Sequence, residues 1–191
     1  KVTYTGTGWV SLGFSDTGDM IGSDAVIGLP NDQSVLEYDL TSKDQTTLPE
    51  ESETQEISST SVTQEADQTT ITFTRPLDPM GEGKQQLSAT AGDTTILIWA
   101  AGSENDLGYH ESSRGVTSLD LFCMESEEDD DDVNEEALVT GEQCNSSDPN
   151  FDFETSPEDD LTLFWSIHED TSEISMKAVH AGEGWVGVGF S

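Results

Sequence analysis

Short runs rich in Val, Ile, Thr, Phe and Trp, each closed by a cluster of Gly, Asp, Ser or Pro, recur along this chain and constrain it to β-structure. They are Trp9–Phe14, Asp24–Leu29, Val35–Leu40, Ile57–Gln64, Thr69–Arg75, Thr94–Ala101 and Ser118–Phe122. In Thr70-Ile71-Thr72-Phe73-Thr74 the alternation is strict, with one apolar face and one hydroxylated face. That is the pattern of a half-buried strand. Nowhere do apolar residues recur at helical spacing for three turns. Many short strands with turn signals between them predict an all-β sandwich or barrel.

Hydrophobic residues make up 32% of the 191 positions, enough for one core and lean for two. Six Lys and Arg stand against forty Asp and Glu, a formal charge of −34. Such a chain repels nucleic acid and anionic membrane surfaces, so neither is an expected partner. The expected role of these charges is a solvating acidic surface suited to salty or calcium-rich surroundings; the alternative is attraction of cations or a basic protein face. No run of about 18 apolar residues is present, so no membrane insertion is expected.

Cys123 and Cys144 flank the most acidic stretch, and a disulfide between them would tie down a loop that can hardly hold itself. Asn145-Ser146-Ser147 is a glycosylation sequon at Asn145. Both features point to an extracellular, secreted protein; the alternative is a pair of free thiols.

The character changes at Met124. Glu125 through Glu136 is almost wholly acidic, and like charges this dense repel one another and bury nothing. Residues 124–160 are therefore expected to be an acidic linker, with a calcium site as the alternative. A strand pattern resumes in Leu161-Thr162-Leu163-Phe164-Trp165-Ser166-Ile167. The end of the chain then repeats its beginning: residues 177–191 lie on residues 1–15 with eight of fifteen positions identical, at an offset of 177 − 1 = 176. Repeats at domain length mean tandem domains. The chain opens on Lys1 in mid-pattern, as a mature or excised fragment would. The expected organisation is a first domain over residues 1–123, the linker, and the opening strands of a second repeat over residues 161–191. The first domain then lacks an opening strand, and residues 161–190 are expected to fill that sheet edge by strand addition, in the same chain or on a neighbour. Head-to-tail addition would give self-association into a filament or array.

Two local patterns carry the chemistry. The first is Gly8-Trp9-Val10-Ser11-Leu12-Gly13-Phe14-Ser15, followed by Gly18-Asp19-Met20-Ile21-Gly22-Ser23-Asp24-Ala25-Val26-Ile27-Gly28. The second is Ile98-Trp99-Ala100-Ala101-Gly102, then Tyr109-His110-Glu111-Ser112-Ser113-Arg114-Gly115. In that order they resemble the DOMON family, in particular its haem-binding branch, which includes the cytochrome domain of cellobiose dehydrogenase. The resemblance covers residues 1–123, and the tail resembles the start of a second copy. It implies an immunoglobulin-like β-sandwich that holds a haem b without covalent attachment. The matching axial ligands are Met20 and His110. No Cys-x-x-Cys-His is present, which agrees with haem b over haem c.

The residues themselves bear on this reading. Met20 sits in a Gly- and Asp-rich turn, an odd place for a thioether unless something apolar covers it. His110 is the one histidine in residues 1–123. A thioether and an imidazole are a known axial pair for haem iron, and with both positions filled by protein the centre passes electrons rather than binding oxygen. Arg114, four positions beyond His110, is a candidate partner for a propionate; the alternative is an ion pair with Glu111 or Asp106. Trp99 and Tyr109 are candidate pocket walls, with plain core as the alternative, and Trp9 is assigned to the core. Asp16, Asp19 and Asp24 are read as turn residues over a calcium loop, since their spacing matches no EF-hand. The expected function is an electron carrier, not an enzyme, whose partner is a redox protein or a neighbouring haem domain. The competing readings are a structural subunit of a filament and a sugar- or small-ligand-binding module.

Overall fold

In a computed structural model, the described residues are 2–5, 8–65, 68–88, 90, 92–110, 114–121, 146–147, 149–158, 161–168 and 170–180. Among them there is no helix; twelve strands form two six-stranded sheets, as the all-β expectation required. The strands are β1 (Val2–Thr5), β2 (Val10–Ser15), β3 (Ser23–Leu29), β4 (Ser34–Leu40), β5 (Glu50–Glu51) and β6 (Ser58–Glu65). They continue as β7 (Gln68–Pro76), β8 (Thr94–Ala101), β9 (Arg114–Asp120), β10 (Phe153–Glu158), β11 (Leu161–His168) and β12 (Glu173–His180). The first sheet runs β10-β11-β12-β1-β7-β6 and the second β5-β4-β3-β2-β8-β9. All pairings are antiparallel except β1 with β12.

The core lies between the sheets and follows from period-two alternation. Val10, Leu12 and Phe14 of β2 and Val26 of β3 meet Ile71 and Phe73 of β7 across the gap. The Phe14 and Phe73 rings pack edge to face with centroids 6.5 Å apart. The last three strands belong to the same body. Trp165, Ile174 and Met176 are buried in this core, and the Trp165 indole donates to the Leu121 carbonyl at 2.6 Å. The tail thus completes the first sheet beside β1 and β7, as strand addition within one chain. Strand β10 lies inside the stretch read as acidic linker; Cys123, Cys144, Asn145 and Glu125 through Glu136 lie outside the described residues.

Two ion pairs are buried with the apolar side chains. Arg75 of β7 pairs with Asp24 of β3, both side chains fully buried, and its guanidinium lies 3.9 Å from the Phe14 ring centroid. Lys84 reaches Glu37 of β4 at 3.2 Å. Asp24, read from sequence as one of three turn acids, is thus a core residue whose carboxylate also accepts from the Gln85 backbone N–H at 2.8 Å.

Candidate functional site

Strands β2 and β3 are buried along their whole length. A strand with one face on the core and the other on water would alternate, so the outer face of this sheet must also be covered. That face carries a second apolar cluster, Trp9, Ala25, Ile27, Leu29, Tyr38 and Leu40, and Met20 and Leu107 from the flanking loops pack against it. Register explains which residues share that face: Ser11 sits opposite Ile27 and Ala100, and Gly13 opposite Ala25 and Ile98. Small residues at Ser11, Gly13 and Ala25 leave a hollow where large ones would have filled it. At Gly13 a Cβ would meet Ile98 Cγ1 at 2.6 Å, so any larger residue would intrude on the floor.

The hollow is a cavity of about 470 Å³, within the range of about 300–1,000 Å³ typical of small-molecule and cofactor sites. Its floor is Trp9, Ser11, Gly13, Ala25, Ile27, Ile98 and Ala100. The rest of its lining comes from Trp99 and from side chains within residues 18–20, 40–49, 107–110 and 114–116.

Met20 lines this cavity and packs, half-buried, against the outer apolar cluster. Its turn is locked by local polar chemistry. The Ser23 hydroxyl donates to the Asp19 carbonyl at 2.6 Å, the Gly18 N–H donates to the Ser15 hydroxyl at 2.9 Å, and the Ser23 N–H donates to the Met20 carbonyl at 3.2 Å. The Gly22 N–H adds a tie to the Leu40 carbonyl at 3.0 Å. The apolar cover that an exposed turn would deny a methionine is therefore present.

His110 lines the same cavity, with its ring 4.8 Å from that of Tyr109. The Tyr109 hydroxyl is a hub: Gln45 Nε2 donates to it at 3.1 Å and Arg114 Nη1 at 3.3 Å. Trp99 both lines the cavity and packs against the inter-sheet core, its indole over Gly115, where a Cβ would meet Nε1 at 2.3 Å. All five residues singled out for the pocket, Met20, Trp99, Tyr109, His110 and Arg114, are thus on one lining. Trp9 is buried, in the outer cluster rather than between the sheets.

The sequence reading missed the loop after β4. Lys43, Asp44, Gln45, Leu48 and Pro49 all line the cavity, and Lys43 pairs with Asp19 at 2.7 Å. Asp44 is held below the usual carboxylate range by the backbone N–H and then the hydroxyl of Thr46. Lys43 could have been flagged by scarcity alone. Of the six cations, Lys1 and Lys177 have undescribed side chains, Arg75 and Lys84 are in buried ion pairs, and Lys43 and Arg114 both line this cavity.

Among the described residues no group of three or more His, Cys, Asp or Glu side chains is placed to hold a metal ion. Nor is any helix there long and apolar enough to cross a membrane. Comparison with curated proteins and with solved structures finds no match. The model of the DOMON domain matches residues 1–102, just over half of the chain. With that match on a two-sheet β-sandwich, the chain belongs to the DOMON domain family.

Proposed function

We propose that this chain is an extracellular electron-transfer domain whose outer-face cavity would hold a haem b between Met20 and His110. One observation carries the reading: a thioether and an imidazole from turns 90 positions apart (110 − 20) line one apolar-floored cavity that also draws two of the chain's few cations. The donor set suits haem better than a bare ion, which would call for more oxygen, nitrogen or thiolate ligands. Bound there, the haem supplies a one-electron iron couple whose potential Met/His ligation raises.

The chain's own residues do the rest. His110 presents an imidazole nitrogen, and Tyr109, tilted against it and held by Gln45 and Arg114, limits how the ring turns. Met20 presents a sulfur held by the Ser15–Ser23 turn. Arg114 and Lys43 supply positive charge for propionates. Met20 and His110 would both be taken up in holding the haem, so the role the site would serve is electron passage rather than catalysis. A charge of −34 favours a redox partner with a basic face. The Cys123/Cys144 pair and the sequon at Asn145 support the extracellular setting.

The test is spectroscopic. Purified chain titrated with haemin is expected to give sharp low-spin bands in a reduced-minus-oxidised spectrum. His110→Ala is expected to abolish them and Met20→Ala to convert them to a high-spin form. A colourless chain that instead binds a sugar in this cavity would overturn the redox reading.

A further inference from the structure

Strand β12 carries the same address as β1. It lies antiparallel on β7 through Glu173↔Pro76, Ile174↔Arg75 and Ser175↔Thr74. Continued for four more residues in that register, it would set Val179 opposite Thr70. β1 sets Thr3 opposite Thr70. Thr3 and Val179 are also equivalent positions of the sequence repeat, since 179 − 3 = 176. Sheet register and sequence alignment therefore agree to the residue. A slip of one position would have turned every side chain to the other face, so the agreement preserves which face each residue occupies.

Both strands cannot hold one edge. β12 leaves β7 after Ser175, and β1 takes Gln68–Ile71. The two then run side by side in parallel, joined at Val2↔Ala178, again a pair offset by 176. The first half of β12 belongs to this sandwich, because Ile174 and Met176 are buried in its core. The second half begins at Lys177, where the repeat begins, and its address on β7 is taken by β1.

We infer that β12 is a junction strand: Glu173–Met176 complete one sandwich, and Lys177–His180 pair with Gln68–Ile71 of β7 in a second copy of the sandwich, in place of β1. The partner is a second copy because the register is written for Gln68–Ile71 and because residues 182–191 repeat residues 6–15, which lead into and include β2. The exchange replaces like with like. The same β7 donors and acceptors are paired by either occupant, so effective concentration decides between them. A contact of this kind is head-to-tail and propagates instead of closing.

Two variants of the full chain test it. The donor carries Val179→Cys. The acceptor carries Thr70→Cys with Thr3→Pro and Val179→Pro, which disable its own two claimants for the edge. After mixing under mild oxidation, peptide mapping is expected to find a disulfide joining positions 179 and 70 of different chains. Moving the donor cysteine by one residue, as Ala178→Cys, should lower its yield about tenfold, since a one-residue shift along a strand changes face. No such disulfide, or equal yield from both donors, overturns the inference. If the acceptor loses its β-sheet circular dichroism, the chain carrying Thr70→Cys alone replaces it, and the same disulfide decides.

Discussion

Asp24 shows how far a single residue's role can lie from its surroundings in sequence. It sits among Gly, Ser and Asp that build a turn, yet its carboxylate is fully buried against Arg75 and the Gln85 N–H. Removing one partner leaves the other as an uncompensated charge in the core, which typically costs about 3–5 kcal/mol. Asp24→Ala is therefore expected to lower the unfolding free energy by about that amount, read as a shift of the denaturant midpoint at unchanged slope. Arg75→Met together with Asp24→Ala should cost less than the single change, because no lone charge remains. A loss under about 1 kcal/mol for Asp24→Ala would mean that water reaches the pair. The sequence does not show the partner that buries Asp24, and scarcity of cations flags Lys43 without showing what it faces. The first needed its cross-sheet partner, 51 positions away (75 − 24), and the second needed the β4–β5 loop to be seen folding over the sheet. Met20, His110, Tyr109, Trp99 and Arg114 were legible because the order of two short motifs carried them together.

Strands were read where alternation or an apolar run was strong, and missed where a partner strand rather than local pattern makes the element. The run at Trp9–Phe14 became Val10–Ser15, and Asp24–Leu29 gained Ser23. β10 is Phe-Glu-Thr-Ser-Pro-Glu, which has no strand signature; antiparallel pairing with β11 holds it, and Phe153 stacks on Trp165 at 5.6 Å. β9 starts at Arg114, before its expected start at Ser118, because β8 offers Ala100 as a partner there. The unit formed by β10, β11 and β12 is thus part of the sandwich by packing and not an appendage. Its anchor is Trp165, fully buried and bonded to the Leu121 carbonyl. Trp165→Ala should cost about 3–5 kcal/mol while unfolding stays a single transition by both fluorescence and far-UV circular dichroism. Two separated transitions, or no loss, would show that these strands fold independently of residues 8–121.

At the scale of the whole molecule, charge opposes the fold that burial favours. Forty acidic side chains face six cations, and two of those cations are consumed in buried pairs that leave the surface uncompensated. Mutual repulsion of surface carboxylates reaches about 30 Å at 0.01 M salt and about 3 Å at 1 M. The compact state gathers those charges closer than the unfolded chain does, so screening favours folding. Buried pairs respond little to salt, and apolar burial is not weakened by it. Raising sodium chloride from about 0.01 M to about 1 M should therefore raise the melting temperature steadily. For a domain of this size each kcal/mol corresponds to about 2–4 °C, and a rise larger than that is expected. Junction pairing between two such sandwiches joins two strongly acidic bodies, so the cross-linking yield should climb over the same salt range. A melting temperature that stays flat or falls would mean that the acidic surface is already neutralised by bound cations, and the yield should then be flat as well.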